Sequence, residues 1–234
     1  MKKIVTFLIL ISILSCQKEG QHDLTVKVNI EGLKKGTVYL KKAQDTALVV
    51  VDSIYVSDGN SIFELYSDLN SPEMFYLILD KKINEQFKVP FFANNGITEI
   101  STSLKNFEIE AKINGSEQQK TLEEYQKMMS KFNERNLELI KENFEAQRDQ
   151  DSVKFNANEA EYNNLLKRRY LYTVNFALNH KDSEVAPYLA LSEIYDANVK
   201  WLDTINNSLS PEVKESKYGK ELQSFIEKIK DTEK

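Results

Sequence analysis

The sequence predicts an α+β fold, in which an N-terminal antiparallel β-sandwich or small barrel is followed by a C-terminal α-helical bundle with a long helical hairpin. Two observations lead to this prediction. Between Gly20 and about Gly115, apolar residues alternate with polar ones over short stretches separated by turn signals, which is typical of antiparallel strands. After Gly115 the apolar residues recur at helical spacing, and residues 116–185 contain neither Gly nor Pro.

The strand-rich part divides at its turn signals. The turn at residues 32–36 is expected to return the first strand to the second, and Asp58-Gly59 predicts a tight hairpin between the third and the fourth, because such a turn needs positive φ. Pro90 has no N–H and predicts an edge or bulged strand. The predicted strands cover residues 24–30, 37–41, 47–56, 61–66, 74–79, 87–92, 97–102 and 107–113.

The helical part begins with a capping signal. Ser116 with Gln119 three residues later predicts a capping box, in which each side chain binds the backbone N–H of the other residue. Apolar residues at helical spacing then follow, namely Leu122, Tyr125, Met129, Phe132, Ile140 and Phe144. A break at residues 149–152 and a second long helix over 158–178 predict an antiparallel helical hairpin.

The second helix and its successors are predicted in the same way. Ser210-Pro211 predicts an N-cap followed by proline at the first helical position. Further helices are expected over residues 184–201 and 217–229. The residues expected to face inward are Leu165, Leu166, Tyr170 and Phe176 in the second helix and Leu222, Phe225, Ile226 and Ile229 in the last. We therefore expect a strand domain over residues 24–115 and a helical domain over 116–234.

The first sixteen residues have the features of a secretion signal that ends in cysteine. Lys2 and Lys3 precede an apolar run over residues 4–14. This run is shorter than the ~17–25 residues that span a bilayer, but it is typical of a signal-peptide core. The tetrapeptide Ile13-Leu14-Ser15-Cys16 resembles the lipobox of bacterial lipoproteins.

That resemblance implies that residues 1–15 are removed and that Cys16 carries a diacylglyceryl group and a further acyl chain. Several acyl chains together hold a protein stably on a membrane. Residues 16–23 would then form a lipidated linker. The alternatives are an ordinary signal peptide with an unmodified Cys16, or a buried free thiol. No other cofactor is expected.

Composition excludes several classes of function. Cys16 is the only cysteine, so neither an intramolecular disulfide nor Cys-x-x-Cys chemistry is possible. Without Lys2 and Lys3 the chain has 29 basic and 36 acidic residues, a net charge of −7. This acidic balance argues against nucleic acid as a partner.

Several stretches together resemble a known family. The strand part resembles domain of unknown function 4369, found in lipoproteins of the Bacteroidota, in IEGLKKGTVYLKK, VDSIYVSDGNSIFEL, MFYLIL, VPFFANNGITEIS and INGS. The helical part resembles the continuation in those proteins in NHKDSEVAPYLAL and LSPEVKESKYGKEL. In that family a thioredoxin-like module with Cys-x-x-Cys usually follows, and the whole is a thiol:disulfide interchange lipoprotein.

The given sequence ends at Lys234, where that module would begin. We therefore expect no enzyme but a lipid-anchored, non-catalytic binding or interaction module of the cell envelope. The alternative is an accessory subunit of a periplasmic redox system that docks a separate thioredoxin-like protein. One Glu beside one Lys follows Cys16, which favours an outer-membrane lipoprotein that faces the periplasm, with display on the cell surface as the alternative.

Candidate site residues are few. His22 and His180 lie far apart in the sequence and have no further ligands at metal-binding spacing, so no metal is expected. No G-x-S-x-G elbow or glycine-rich phosphate loop occurs, which disfavours a hydrolase or a nucleotide-binding enzyme.

Two further groups of residues are candidates for binding or modification. In each adjacent pair Phe75-Tyr76 and Phe91-Phe92, one ring must point away from the core, where it either packs under a helix or faces a ligand. Four Asp-Ser/Thr-aliphatic tripeptides resemble the O-glycosylation sequon of Bacteroidota envelope proteins. Their acceptors are Thr46, Ser53, Ser152 and Thr204, and Ser152 is the best candidate because a loop is predicted there.

Overall fold

The computed structural model describes residues 22–232 except residues 58, 60 and 81–85. The predicted signal peptide and Cys16 lie outside the described residues. The α+β prediction is confirmed, with two sheets followed by helices. The strands are β1 (Leu24–Glu31), β2 (Gly36–Gln44), β3 (Ala47–Val56), β4 (Ile62–Ser67), β5 (Glu73–Asp80), β6 (Gln86–Ala93), β7 (Gly96–Ser103) and β8 (Lys112–Asn114). The helices are α1 (Glu117–Arg148), α2 (Ser152–Asn179), α3 (Val185–Glu193), α4 (Val199–Ser208), α5 (Pro211–Glu215) and α6 (Lys217–Thr232).

The strands form two four-stranded sheets that enclose one core. One sheet has the order β4-β1-β7-β8 and the other the order β3-β2-β5-β6. The alternation predicted for β1 is observed, because Leu24, Val26, Val28 and Ile30 are all buried. All ladders are antiparallel except that β1 runs parallel to β7. Pro90 lies in β6, which is an edge strand as expected.

Two predicted hairpins are wrong. β1 and β2 lie in different sheets, and so do β3 and β4, so neither pair forms a hairpin, although Gly59 has the expected positive φ of 76°. Crossing between sheets lets the apolar sides of successive strands face the same core from opposite sides, as the shared cluster of β1 and β2 residues shows. The predicted strand at 107–113 is likewise reduced to β8, and Phe107 is buried in the preceding turn.

The helical hairpin is longer than predicted. α2 begins at Ser152, because Asp151 caps it by accepting a hydrogen bond from the Lys154 N–H at 2.9 Å. The helix predicted over 184–201 is two helices, since the Asn198 side chain caps α4. The N-cap at Ser210 is confirmed. No helix of the described residues is long and apolar enough to span a membrane.

The capping box at the start of α1 forms only in part. Ser116 accepts the N–H of Gln119 at 3.1 Å as predicted, but it also donates to the Phe92 carbonyl at 2.9 Å. The side-chain oxygen Oε1 of Gln119 accepts the Phe92 N–H at 2.7 Å instead of returning to the Ser116 N–H. The polar side chains that begin α1 therefore bind the open edge of β6 and fix the helix to the sheet.

Candidate interaction surface on the helical hairpin

The seam between α1 and α2 has the spacing of an antiparallel coiled coil. Its residues alternate at intervals of three and four, which places them on one side of each helix. At the base, the Tyr125 and Thr173 hydroxyls lie 2.8 Å apart, and at the far end Asn143 Nδ2 donates to Glu159 Oε1 at 2.7 Å. The seam consists of Leu122, Tyr125, Met129, Phe132, Asn136, Leu139, Asn143 and Ala146 in α1 and Phe155, Asn158, Tyr162, Leu165, Arg169, Tyr172 and Phe176 in α2.

Only the base of this hairpin is joined to the rest of the protein. Within the described residues, the hydrogen bonds, ion pairs and apolar clusters that reach other elements involve α1 up to Phe132 and α2 from Arg169 onward. We call residues 133–168 the outer hairpin. In the part of the chain that the structure describes, the side-chain hydrogen bonds and ion pairs of this segment join only residues within it. With 1.5 Å per residue, the sixteen residues of α1 in this segment extend ~24 Å.

Ion pairs link α1 and α2 along one side of the outer hairpin. The Arg135 guanidinium contacts Glu138 at 2.9 Å and Glu142 at 3.1 Å on its own helix, and Glu161 of α2 at 2.8 Å. Hydrogen bonds to these three carboxylates raise the pKa of Arg135 above its ordinary value. Lys154 of α2 adds a pair with Glu145 at 3.7 Å. Charged groups on this side therefore satisfy each other across the two helices.

The other side carries exposed apolar side chains. Leu137, Ile140 and Phe144 follow the helical spacing i, i+3 and i+7, and they are 65%, 42% and 67% exposed. Leu166 of α2 is 38% exposed, so the prediction that it faces inward is wrong. It lies about 140° around α2 from Glu161, on the side away from the ion pairs. We call these four residues and their uncharged neighbours the uncharged face.

The neighbours of these four residues include uncharged amides and charged side chains. The uncharged neighbours are Asn133 and Gln147 in α1 and Asn156 and Asn163 in α2. On α2 the Glu159 carboxylate accepts the hydrogen bond from Asn143 described above. On α1 the stripe is bordered by Glu134, Lys141 and Arg148, which lie three or four residues from Leu137 or Phe144.

The same side is only partly covered where the hairpin joins the body. Gln126, two heptads before Ile140, is exposed and lines a groove of about 350 Å³ together with Tyr188 and Leu189 of α3. Thr173, one heptad after Leu166, is completely buried. α3 ends at Glu193, which pairs with Arg169 at 2.8 Å. Near the base this side therefore borders α3 across a groove, and in its outer half it has no partner within the described residues.

A cleft of about 790 Å³ lies where the strand part meets α5 and α6. Its floor is Glu73, which is 4% exposed and accepts from Lys42 Nζ at 2.8 Å and Lys217 Nζ at 2.5 Å. Lys217 also donates to the Ala43 carbonyl at 2.9 Å. The buried charges of the cleft are therefore used to join β2 and β5 to α6, and we interpret the cleft as a structural joint.

Burial raises the pKa of two further groups where the strand part meets the helices. The buried Tyr218 hydroxyl accepts the Met74 N–H at 3.1 Å, and burial raises the pKa of this tyrosine above its ordinary range. Burial also raises the pKa of the Glu221 carboxyl on the cleft wall, and Glu73 adds to the effect while Lys217 opposes it. Both shifts are the result of taking these groups out of water where the two parts meet.

The predicted aromatic candidates are mostly enclosed. Phe75, Phe91 and Phe92 are 0% exposed, so their rings present no surface to a ligand. Phe92 packs under the helices, with its ring 5.7 Å from Tyr188. Tyr76 is half-buried, and Lys88 Nζ lies 5.3 Å from its ring centre.

The two histidines are far apart, and each has a hydrogen-bonding partner and a ring stacked on it. His22 Nδ1 lies 3.0 Å from Asp68 and its ring stacks on Tyr66. His180 Nδ1 lies 2.9 Å from the Phe176 carbonyl, and its ring stacks on Phe176. No group of three or more metal-ligating side chains is found in the part of the chain that the structure describes.

The four candidate glycosylation residues are exposed, but in different settings. Thr46 lies in the turn between β2 and β3, and Ser53 lies on the edge strand β3. Thr204 donates its hydroxyl to the Lys200 carbonyl within α4. Ser152 is the first residue of α2 and not part of a loop, because the capping by Asp151 starts the helix there.

Sequence reasoning missed the uncharged face and the Glu73 joint. The signal for the face was present, since Leu137, Ile140 and Phe144 follow helical spacing beside a separate three–four seam. No local signal marks Glu73, because its partners Lys42 and Lys217 are brought to it only by the tertiary fold.

Comparison with known proteins identifies part of the chain. Residues 24–122, which include all eight strands and the start of α1, match the family model described as Domain of unknown function (DUF4369). No curated protein and no solved structure matches the chain.

Proposed function

We propose that this protein is a lipid-anchored protein of the bacterial cell envelope that acts as a non-catalytic interaction module. The uncharged face of the outer hairpin is its interaction surface. The observation that carries this proposal is the exposure of Leu137, Ile140 and Phe144 on a projecting helix pair. Exposed apolar patches rimmed by polar residues are typical of protein-binding sites.

The anchor is proposed from the sequence. A positively charged start, a short apolar run and Ile13-Leu14-Ser15-Cys16 support lipid attachment at Cys16, and the strand part supports a relation to lipoproteins of the Bacteroidota. On this proposal the body is tethered to the outer membrane on its periplasmic side. The linker holds it there while the hairpin extends toward a partner. A separate thioredoxin-like protein is one candidate partner.

Site-specific photocrosslinking in living cells tests the interaction surface. A photoreactive amino acid placed at Phe144 in the full-length protein is expected to give a discrete adduct in the envelope. The matched control is Val153, which is 79% exposed on the same hairpin but outside the uncharged face. An adduct at Phe144 that the pair of substitutions Leu137→Lys and Ile140→Lys removes is the expected result. Equal or absent adducts at Phe144 and Val153 would contradict the proposal.

A further inference from the structure

We propose that the outer hairpin opens and closes as one cooperative unit while the rest of the protein stays folded. In the open form the two helices separate over residues 133–148 of α1 and 152–168 of α2, and these turns lose their helical structure. Proteins open locally where a segment has few buried apolar contacts and many backbone hydrogen bonds near solvent. Four features of the outer hairpin meet this description.

The first feature is a shortage of buried apolar side chains. Within the outer hairpin these are Leu139, Ala146 and Leu165. The much shorter α3, with nine residues, contains five buried residues. Of the apolar clusters that the described residues form, none includes a residue of the outer hairpin. Opening therefore exposes less apolar surface per residue than unfolding of the body would.

The second feature is a group of buried polar atoms in the seam. Asn136 Oδ1, Asn143 Oδ1 and Asn158 Nδ2 have no hydrogen-bond partner among the described residues. Every buried side-chain atom found without a partner in that part of the chain lies in the outer hairpin. Such an atom has given up its hydrogen bonds to water, which destabilises the closed seam. Water reaches the three amides when the helices separate, so opening removes this cost.

The third feature is the exposure of the ion pairs between the two outer helices. The side chains of Arg135 and Glu161 are 32% and 50% exposed, and those of Lys154 and Glu145 are 44% and 39% exposed. Ion pairs with this exposure stabilise a fold only weakly, because water competes for both partners and salt screens their attraction. The charged contacts that link α1 to α2 therefore oppose opening only to a small extent.

The fourth feature is the backbone of the turn that joins the helices. Asp149 is the C-cap of α1, and Gln150 follows it with a φ of 56°, in the left-handed region. Glycine usually occupies the position after the C-cap, because a side chain makes this conformation unfavourable. The strain at Gln150 is released when the outer turns lose their structure.

The base of the hairpin sets the limit of the opening. There Tyr125 and Phe176 belong to the apolar cluster that includes Met74 and Phe92 of the strand part. The Tyr125 and Thr173 hydroxyls also bond to each other in a buried position, at 2.8 Å. Separating the helices at this level would break contacts with the sheet, which the outer hairpin does not have. The base is therefore expected to open only when the whole protein unfolds.

Opening divides the uncharged face. Leu137, Ile140 and Phe144 lie on α1 and Leu166 lies on α2, so the four side chains form one surface only in the closed form. A partner that contacts both helices therefore binds the closed form and shifts the population toward it. This consequence rests on the proposed function, whereas the opening itself does not.

Backbone hydrogen exchange, measured by mass spectrometry on the purified full-length protein in detergent, tests the opening. After correction for intrinsic rates, peptides from the outer hairpin are expected to exchange ~100-fold faster than those from the base, residues 117–132 and 169–179. Raising the salt concentration is expected to speed exchange in the outer hairpin further, because it screens the ion pairs. Equal protection along the whole length of α1 and α2 would overturn the proposal.

Substitutions in the outer hairpin distinguish local opening from unfolding of the whole protein. Asn143→Leu/Asn158→Leu is expected to slow exchange in the outer hairpin by ~10-fold or more and to leave the base unchanged, because it removes unpaired polar atoms from the closed form. Arg135→Gln is expected to speed exchange there. Arg148→Gln is the matched control and is expected to have no effect, because the partner of Arg148 is the adjacent Asp149 and not a residue of α2.

The remaining outcomes separate this inference from the proposed function. Changes of equal size in the outer hairpin and in the base would show that exchange requires unfolding of the whole protein, which contradicts a separate unit. Uniform exchange together with a specific photoadduct at Phe144 would refute the opening and retain the interaction surface. Fast exchange confined to the outer hairpin, without an adduct at Phe144, would support the opening and refute the interaction surface.

Discussion

Glu73 shows how one side chain joins the two parts of this protein. Its carboxylate is almost completely buried and lies between the ammonium groups of Lys42 from β2 and Lys217 from α6. Burial of a single charge is costly, and the arrangement is stable only because both oxygens have partners. Since Lys217 also donates to the Ala43 carbonyl, loss of the carboxylate would disturb more than one contact.

We expect Glu73→Gln to lower the free energy of unfolding by ~2 kcal/mol, because two partly buried ammonium groups would lose their shared counter-charge. Both lysine side chains retain some exposure, 26% and 28%, which keeps the loss below that of a fully buried pair. Urea denaturation measures this quantity. Glu215→Gln is the matched control, since the Glu215–Lys220 pair is exposed and contributes less than ~1 kcal/mol. Equal effects of the two substitutions would contradict the role of Glu73.

The burial of individual residues could be predicted from the sequence, but their distant contacts could not. The burial of Leu24, Val26 and Val28 follows from a period of two, which is a local property. The partners of Glu73 lie 31 and 144 residues away, so no local pattern could assign them. For the same reason, the second use of Gln119, as an acceptor for the Phe92 N–H, could not be foreseen from the capping signal.

At the scale of the elements, the outer hairpin has a regular seam that contains buried polar atoms. Asn136 Oδ1, Asn143 Oδ1 and Asn158 Nδ2 are buried without a hydrogen-bond partner among the described residues. The antiparallel register places Asn143 and Asn158 in one layer of the seam, near the Asn143–Glu159 hydrogen bond. Polar residues at seam positions cost stability but favour one register over others.

Replacing both members of that layer, in the double variant Asn143→Leu/Asn158→Leu, is expected to raise the free energy of unfolding by ~1–3 kcal/mol, because two unpaired polar groups leave the buried seam. Urea denaturation again provides the measurement. Lys141→Leu, on the exposed side of α1, is the control and is expected to change stability by less than ~0.5 kcal/mol. A less stable double variant would show that the two amides form hydrogen bonds in solution. It would contradict the unpaired amide atoms described above.

Element existence was easier to predict than element pairing. The long hairpin follows from helical spacing without Gly or Pro, and its break at residues 149–151 from a polar stretch. The pairing of β1 with β7 depends on contacts about 70 residues apart, and it is parallel where local signals favoured antiparallel neighbours. The uncharged face was missed because Ile140 and Phe144 were grouped with the seam residues of α1. In α2 both Leu165 and Leu166 were expected to face inward, whereas of these two only Leu165 is buried.

At the scale of the whole molecule, the strand part and the helical part share an apolar cluster, separate from the core between the two sheets. Met74 and Phe92 of the sheet pack with Tyr125, Phe176 and Tyr218 of the helices, so the two parts are joined by apolar contacts as well as by Glu73. The α+β order was predictable because the period of the apolar residues changes at Gly115. The shared cluster was not predictable, because it combines residues from six separate elements.

The central claim is that this body is held on a membrane through Cys16. Metabolic labelling with an alkyne-bearing fatty acid, followed by envelope fractionation, compares the wild-type protein with Cys16→Ala in its native host. We expect the wild type to carry the label and to sediment with the outer membrane, and Cys16→Ala to lose both properties because the acyl chains have no attachment point. An unlabelled wild type, or a Cys16→Ala protein that stays with the outer membrane, would contradict this account.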